Sequence, residues 1–352
     1  MKSRLRFLKN LNALRRPQAS VETTIVIYDR ALSKHVPGFQ SWVKKYPHAF
    51  PVAAGESLKS LESFSKIASA IHRAVGDKAT RQWTVLAMGG GSVGDFAGFF
   101  ASVYKRGLML VHVPTTWLAA LDSSHGGKTA LNLRGAKNQI GTFYPASETI
   151  LIQNVLEALP NSNLDDAMGE LAKIALIDGR AWARKLRRPV SRGARAKVER
   201  AQAVWLWRQL PSAIESKLRI VARDPEETRG DRRLLNLGHS FGHVLEAFLG
   251  LSHGASVGYG LLFAIDLSES LGELSSFRAS EIRTWLGDFG ISGKPGKRIP
   301  SSKARALLLR DKKRESGNGV EFLLLKKPGH VVRRKLDVDL VLKIAQEAGW
   351  TR

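Results

Sequence analysis

Three histidines between residues 239 and 253 are the side chains in this sequence best suited to metal chemistry. His239, His243 and His253 lie in the segment NLGHSFGHVLEAFLGLSHG. His239 and His243 are four residues apart, so on a helix they would share one face. With Glu170, from the segment GELAK, the histidines could form a site of imidazole and carboxylate ligands with an open coordination position. A pair of hydrogen-bonded, buried histidines also fits this spacing, which leaves both interpretations open.

A glycine-rich run has the spacing G-x-G-x-x-G that is typical of dinucleotide-binding turns, at Gly89, Gly91 and Gly94. It follows a predicted strand and precedes a predicted helix. In that position glycines let the backbone approach a pyrophosphate, and the helix N-terminus supplies N–H donors. The acidic residue expected about 20 positions further on is not clearly present, so a tight structural turn fits the run equally well.

A polar segment between Pro114 and Pro145 places two lysines and two other polar residues among small residues and glycines. They are Asp122, Lys128, Lys137 and Asn138. Lysines in such a setting suit a site that binds phosphate or carboxylate as point charges. For either lysine alone, a solvated loop position would be the simpler interpretation; the set as a whole favours a binding site.

The elements that must position these residues differ between the two halves of the chain. Strands are predicted at Thr23–Asp29 and Glu148–Gln153 and within WTVLAMGGG and GLMLVHVPTT, and a helix at Ser57–Val75. This alternation predicts an α/β domain with a mostly parallel sheet over residues 1–155.

Helical periodicity dominates the rest of the chain, which predicts a mainly helical domain over residues 156–352. The basic stretch Arg187–Arg195 reads as an exposed loop. The predicted helices are Asn163–Leu186, Ala194–Ala222, His239–Leu249 and Val257–Leu271.

Composition narrows the class of protein. The sequence has 352 residues and no cysteine, so disulfides and thiolate metal sites are excluded. No apolar run approaches the roughly 20 residues that span a membrane. The basic N-terminus lacks the apolar core and cleavage site of a secretory signal, so we expect a cytoplasmic protein.

A formal net charge of +24 is the unusual feature of the composition. Basic residues cluster in the first 16 residues, in Arg180–Arg200 and in Lys303–Lys335. This could indicate nucleic-acid binding, but the sequence contains no helix-turn-helix, zinc-finger or RNP-type motif. We therefore favour a solvated basic surface that attracts anionic substrates.

Considered together and in order, these segments resemble the 3-dehydroquinate synthase family of sugar-phosphate cyclases. The resemblance runs from about Gly55 to Leu325, most of the chain. It rests on GES-LKSLE, GGGSVGDFAGF, VPTTWLAALDSSHGGKTALN, GAKNQIGTFYP, GELAK, LLNLGHSFGHVLE, LSHGASVGYGL and DKKRESGNGVEFLLL. Each is similar to a family motif, and eight in order indicate membership far more strongly than any one.

The resemblance implies a fold, cofactors and a set of site residues. The fold is a Rossmann-like NAD-binding α/β domain followed by a mainly α-helical metal- and substrate-binding domain. The implied ligands of one divalent metal, Zn or Co, are Glu170, His239 and His253, whereas His243 is assigned to the substrate phosphate. The implied NAD contacts are Asp29, Glu56, Lys59, Gly90, Gly91, Ser92, Asp95, Thr115, Thr116 and Lys137. The implied substrate residues are Arg106, Asp122, Lys128, Asn138, Lys173, Lys217, Arg232, Asn236, His243 and Lys313, with Lys312 as the alternative to Lys313.

The activity implied by the resemblance converts 3-deoxy-D-arabino-heptulosonate 7-phosphate to 3-dehydroquinate and phosphate, in the shikimate pathway. NAD transiently oxidises the substrate's C5 hydroxyl, phosphate is eliminated, the hydride returns, and an aldol step closes the carbocycle. A homodimer is implied by the resemblance as well.

Several positions depart from the family pattern. They are His125 within DSSHGGK, Ala255 within HGA, Gly169 before Glu170, and Ala31 after the Asp29 segment. They favour, as an alternative, a related sugar-phosphate cyclase. Two further alternatives stay open on other grounds: a metal-dependent polyol or alcohol dehydrogenase of the same fold, and a basic nucleic-acid-binding protein.

Overall fold

The computed structural model describes residues 3–14, 20–158, 162–189, 195–310 and 319–352. The chain divides into two compact units, Met1–Asn163 and Leu164–Arg352. The predicted combination of an α/β unit containing a parallel sheet and a mainly helical unit is confirmed.

The described part of the first unit is built on a six-stranded parallel sheet in the order β1-β8-β5-β4-β2-β3. A separate antiparallel hairpin is formed by β6 and β7. The strands are β1 Arg4–Leu8, β2 Thr24–Asp29, β3 His48–Val52, β4 Thr84–Gly89, β5 Met109–Pro114, β6 Lys128–Leu133, β7 Ala136–Phe143 and β8 Glu148–Ile152. The helices are α1 Leu32–His35, α2 Phe39–Val43, α3 Leu61–Val75, α4 Gly91–Val103, α5 Trp117–Leu121 and α6 Gln153–Glu157.

Alternate residues of the central strands face opposite layers, as the period of two in a strand requires. Val26 and Leu86 pack in the core that includes α1 and α2. Ile25 and Val85, one position earlier on the same strands, pack in the core that includes α3 and α4. Burial on both faces explains why these strands are continuously apolar.

One local prediction for this unit needs correction, and one strand was not predicted. The helix expected at Ser57–Val75 begins at Leu61, because the Ser60 hydroxyl caps it by accepting the N–H of Ser63, and Glu56–Lys59 forms a separate 3-10 turn. The basic N-terminal segment contains an edge strand, β1, parallel to β8; Arg4 and Arg6 of β1 lie beside the buried carboxylate of Glu148.

In the second unit the described helices are α7 Ser162–Asp178, α8 Ala181–Lys185, α9 Arg195–Arg223, α10 His239–Leu249, α11 His253–Ser270, α12 Ser276–Asp288, α13 Ser301–Arg310 and α14 Val338–Glu347. An antiparallel hairpin, β9 Gly319–Lys327 and β10 His330–Asp337, packs with them. The single helix predicted at Asn163–Leu186 is interrupted at Gly179, whose φ of 60° is left-handed. Within the ranges that the structure describes, no helix is both long and apolar enough to span a bilayer.

Candidate active site

The carboxyl ends of β2 and β4 form the topological switch point of the parallel sheet. β2 leads to β3 on one side, whereas β4 leads to β5 on the other, so the two neighbouring strands diverge. Ligands of open α/β sheets bind in the crevice outside such a point. Asp29 is the last residue of β2 and Gly89 the last of β4, so two of the predicted NAD contacts, Asp29 and Gly90, lie at or next to this crevice.

The glycine turn after β4 leads into α4 and packs closely on its neighbours. A Cβ added to Gly90 would lie 3.2 Å from the Thr116 methyl, and one added to Gly91 would lie 3.3 Å from the Ser123 hydroxyl. Ser92 in the first turn of α4 accepts the N–H of Gly55 at 2.9 Å. The backbone of the turn therefore packs closely against the side chains of Thr116 and Ser123.

Lys59 is the centre of a polar cluster beside the glycine turn. Its side chain is 4% exposed, and its Nζ lies 2.6 Å from Asp95 Oδ2 and also donates to Asn138 Oδ1. Burial raises the pKa of Asp95, partly offset by the Lys59 charge. The structure thus brings together residues from the turn before α3, from α4 and from β7 that are far apart in sequence.

The remaining predicted residues of the first unit are dispersed. Thr115 is buried after β5, and Thr116 caps α5 by accepting the N–H of Ala119 at 3.2 Å. Arg106 precedes the amino end of β5, at the edge of the sheet opposite the switch point. The structure therefore does not group Arg106 with the others. Asp122 ends α5, Lys128 begins β6, and Lys137 lies exposed on β7.

In the second unit, one carboxylate and two imidazoles converge from three helices. Glu170 on α7, His239 on α10 and His253 on α11 have ligand atoms that all lie within 4.8 Å of one another. Glu170 Oε1 is 3.5 Å from His239 Nε2 and 3.4 Å from His253 Nε2. His243 does not belong to this group among the described residues, although its ring centroid is only 5.5 Å from that of His239.

The group fits a divalent metal. Metal–ligand bonds of about 2.0–2.1 Å in a tetrahedral site put neighbouring ligand atoms roughly 3.3–3.4 Å apart, close to the observed separations. Glu170 is fully buried, and a buried carboxylate requires a compensating positive charge. Lys173 supplies part of it, with Nζ 2.5 Å from Glu170 Oε2.

The two histidines of the group differ in charge. Burial, reinforced by the Lys173 charge, lowers the pKa of His239 to about 3, so that its imidazole is neutral. Hydrogen bonds to Glu170 and Glu246 raise the pKa of His253 to about 10. His253 therefore carries a proton at neutral pH that a metal must displace.

We expect metal binding to release about one proton near pH 7.5, because a ligand histidine must be neutral. His239 contributes none, since its pKa lies far below that pH. Apparent metal affinity should then rise about tenfold per pH unit until pH approaches the His253 pKa. Calorimetric titration with Zn²⁺ in buffers of different ionisation enthalpy measures the proton count. Release of zero or of two protons would contradict a neutral His239 and a protonated His253.

Glu246 orients His253 from the side away from Glu170. Its Oε2 lies 3.3 Å from His253 Nδ1, leaving Nε2 directed at Glu170. Such carboxylate–histidine pairs fix the ring and increase its basicity. Glu246→Ala should weaken Zn²⁺ binding by about 10–100-fold and Glu246→Gln by less, as measured with a competing chelator. Unchanged affinity in both variants would contradict this role.

Close helix packing at glycines brings Glu170 and His253 together. A Cβ on Gly169 would collide with the Gly254 carbonyl oxygen, and one on Gly254 with the Asp166 carbonyl oxygen. This explains the departure at Gly169, where the family pattern has alanine. Gly169→Ala should destabilise the fold by about 1–3 kcal/mol and weaken metal binding, as measured by denaturant unfolding and metal titration. The exposed Gly287, with open space around its Cβ position, is the matched control, and equal losses in both variants would contradict the explanation.

Three buried cations lie in the second unit. Lys173, Lys217 and Arg232 are each at most 4% exposed. Lys217 lies on α9, which packs against the 3-10 turn Asp231–Asn236 that carries Arg232. Lys173 is paired with Glu170, and the family resemblance assigns Lys217 and Arg232 to the substrate. Asn236 ends the same turn, and its side chain is exposed.

Asp224 organises the backbone in front of Arg232. Its carboxylate accepts the N–H groups of Arg229 at 3.0 Å, Gly230 at 2.8 Å and Arg232 at 3.3 Å, while Arg232 Nη1 donates to Pro225 O at 2.8 Å. The pKa of Asp224 lies below its usual value. Burial alone would raise this pKa, but the hydrogen bonds from the backbone N–H groups lower it by more.

One predicted substrate residue lies outside the part of the chain that the structure describes, and three residues of the site were not predicted. Lys313 and its alternative Lys312 fall in 311–318. Asn132, Asp224 and Glu246 were missed, although Asn132 and Glu246 stand inside segments quoted for the family resemblance. Their hydrogen-bond roles depend on side-chain directions, which the segments do not reveal.

His125, the departure closest to the predicted site, has a structural role. It is buried, and its Nε2 lies 2.7 Å from the Ala120 carbonyl oxygen. That oxygen can only accept, so Nε2 is the protonated nitrogen. The ring therefore ties the 3-10 turn after α5 to α5 itself.

The fold of the chain is that of the sugar-phosphate cyclases. A 2-deoxy-scyllo-inosose synthase, solved with carbaglucose-6-phosphate, NAD⁺ and Co²⁺, matches with a TM-score of 0.82 and 22% identity over 97% of this chain and 96% of its own. A 2-epi-5-epi-valiolone synthase from Streptomyces hygroscopicus, solved with NAD⁺ and Zn²⁺, matches with a TM-score of 0.77 and 23% identity. The match covers 99% of this chain and 98% of the synthase chain.

Sequence comparison identifies one family among the proteins with this fold. The model of the 3-dehydroquinate synthase N-terminal region matches residues 49–166, and that of the C-terminal region matches residues 167–314. The 3-dehydroquinate synthase of Cereibacter sphaeroides is 35% identical over 351 residues, covering 96% of this chain and 91% of the relative. The chain belongs to the 3-dehydroquinate synthase family.

Proposed function

We propose that this protein is a 3-dehydroquinate synthase, a phosphorus–oxygen lyase acting on 3-deoxy-D-arabino-heptulosonate 7-phosphate. The observation that carries the proposal is the convergence of Glu170, His239 and His253 in a chain whose two halves match the two family models. A metal-dependent polyol dehydrogenase would share the fold, but the family matches favour the synthase.

The cofactors we propose are NAD and one Zn²⁺ or Co²⁺, as in the structural relatives. The switch-point residues would hold NAD, and the three convergent ligands would hold the metal. When bound, NAD supplies a reversible hydride acceptor and the metal a Lewis acid for the substrate's oxygens.

The side chains of this protein would bind and orient the substrate's two anionic ends. Arg232 and Lys217 would take the carboxylate, for which a buried guanidinium fork is well suited. The proposed phosphate residues share positive charge or amide donors: Lys128, Asn138, Asn236, His243 and Lys313. Holding both ends fixes the reacting carbons relative to the catalytic groups, and positioning of this kind supplies much of an enzyme's acceleration.

Discrimination between carboxylate-bearing and carboxylate-free substrates tests this proposal. Phosphate release should be measured with 3-deoxy-D-arabino-heptulosonate 7-phosphate and, separately, with glucose 6-phosphate, in the presence of NAD and Co²⁺. We expect release only from the heptulosonate, since the proposed carboxylate-binding residues, Arg232 and Lys217, would find no carboxylate on the other sugar. Release from glucose 6-phosphate alone would instead assign a related cyclase activity.

We extend the proposal to a cytoplasmic homodimer, as the family resemblance implies. Sedimentation velocity of the purified protein measures its assembly, and a monomer at micromolar concentration would overturn the dimer.

A further inference from the structure

The β6–β7 hairpin contains an irregularity next to the Lys59 cluster. Leu131 pairs with Ile140 and Leu133 with Ala136, so a two-residue step on β6 faces a four-residue step on β7. Asn138 lies in the longer step with a φ of 57°, the left-handed region. Bulges of this kind remove a backbone group from the ladder and redirect a side chain.

Asn132, which lies opposite the bulge, compensates for the interrupted ladder. Its Oδ1 accepts the backbone N–H of Asn138 at 2.9 Å. A backbone N–H that leaves a ladder needs another acceptor, and this side chain provides it. Asn132 therefore stabilises the left-handed conformation of Asn138.

The other end of the same amide holds a different segment. Asn132 Nδ2 donates to Glu56 Oε2 at 2.8 Å and lies 3.4 Å from the Glu56 carbonyl oxygen. Both ends of one amide are thus engaged, one on the hairpin and one on the 3-10 turn before α3. A carboxylate or an aliphatic side chain at this position could not make both contacts.

These contacts continue into the buried ion pair. The redirected Asn138 side chain accepts from Lys59 Nζ, and Lys59 also pairs with Asp95 at 2.6 Å. A continuous path of hydrogen bonds therefore runs from Glu56 through Asn132, Asn138 and Lys59 to Asp95. Four of these five residues were predicted to bind NAD or substrate, and Asn132 is the link between them.

We propose that Asn132 is a positioning residue that sets Glu56 and Asn138 in their binding geometry at the same time. The assignment of Glu56 to NAD and of Asn138 to the substrate rests on the proposed function. Asn132 itself touches neither ligand in this account and acts through the two residues that it holds.

Asn132→Asp is the sharpest test, because it separates the two ends of the amide. Aspartate retains an oxygen that can accept the Asn138 N–H, but it replaces the donor facing Glu56 with a second carboxylate. Glu56 also acts electrostatically on Asp95 of α4, whose carboxylate is paired with Lys59 of the same 3-10 turn and is influenced by Asp122 at the end of α5. Two adjacent carboxylates repel when both are ionised and can share a proton at lower pH.

Calorimetric NAD binding should be measured between pH 5.5 and 8.5 for wild type, Asn132→Asp, Asn132→Ala and Gln139→Glu. Gln139 is the matched control, since its side chain donates to the neighbouring Lys137 carbonyl oxygen on the same hairpin. We expect Asn132→Asp to lose about tenfold or more in NAD affinity at pH 8.5 and to recover most of it at pH 5.5. Asn132→Ala should lose affinity at every pH, and Gln139→Glu should match wild type.

Hydrogen exchange at fixed pH gives a second readout that does not depend on NAD. The Asn138 amide should lose its protection in Asn132→Ala and keep most of it in Asn132→Asp. Wild-type NAD affinity in Asn132→Asp at all pH values, or unchanged Asn138 protection in Asn132→Ala, would overturn the proposal. The two proposals can fail separately. If wild-type protein bound NAD but released no phosphate from the heptulosonate, the proposed function would be wrong, whereas the NAD affinities and the Asn138 exchange rates would still test the role of Asn132.

Discussion

Glu170→Gln is expected to abolish activity by removing the one anionic ligand of the metal group. Glu170 is fully buried and lies within 3.5 Å of both ligand histidines. Glutamine has nearly the same shape, so packing should survive while the negative charge is lost. Because loss of an outer residue already costs about 10–100-fold in metal affinity, we expect more than about 100-fold from loss of this ligand.

Two quantities should be measured for this variant: its metal content after dialysis and the change in its melting temperature when Zn²⁺ is added. Glu170→Gln should contain little metal after dialysis, and added Zn²⁺ should no longer raise its melting temperature, since stabilisation follows ligand affinity. Glu215→Gln is the matched control, because its side chain is 67% exposed in the same unit. Wild-type metal content and activity in Glu170→Gln would remove the metal assignment.

Arg232→Ala should damage substrate binding far more than NAD binding. Arg232 is a buried guanidinium whose backbone is held by Asp224. Truncating one partner of a buried charge pair costs roughly 2–5 kcal/mol, which corresponds to a KM increase of roughly 30-fold or more. NAD affinity should change little, because Arg232 is assigned to the substrate carboxylate and not to NAD.

Its neighbour provides the control. Arg233 is half-exposed and lies near Glu321 at the surface, so Arg233→Ala should keep a KM close to wild type. Arg232→Lys should fall between wild type and Arg232→Ala, since lysine keeps the charge but loses the planar fork. Equal losses of NAD and substrate affinity in Arg232→Ala would contradict a carboxylate-binding role.

The strands and the glycine turn of the first unit were predictable because the sequence pattern that determines each of them is local. The buried run TIVIYD alternates between two apolar layers, and the glycine turn follows its strand directly. The break at Gly179 was missed although a glycine is a local helix-stop signal. The strand β1 was not predictable, because it depends on pairing with distant β8. Tertiary pairing overrides the local pattern at such positions.

For the site, residue identities were more predictable than their arrangement. Spacing alone would pair His239 with His243, whereas the structure groups His239 with Glu170 and His253. That choice depends on the close packing of α7 against α11 at Gly169 and Gly254, which no helical period encodes. Asn132 was missed for a similar reason, since its role arises from a bulge in the opposite strand.

The most direct test of the proposed function follows phosphate and NADH together in one cuvette. Wild-type protein with NAD and Co²⁺ should receive 3-deoxy-D-arabino-heptulosonate 7-phosphate, with phosphate release and absorbance of NADH recorded at the same time. We predict stoichiometric phosphate release without net NADH, abolished by a chelator and restored by Co²⁺. Steady accumulation of NADH, or no phosphate from folded, metal-loaded protein, would contradict the proposed synthase.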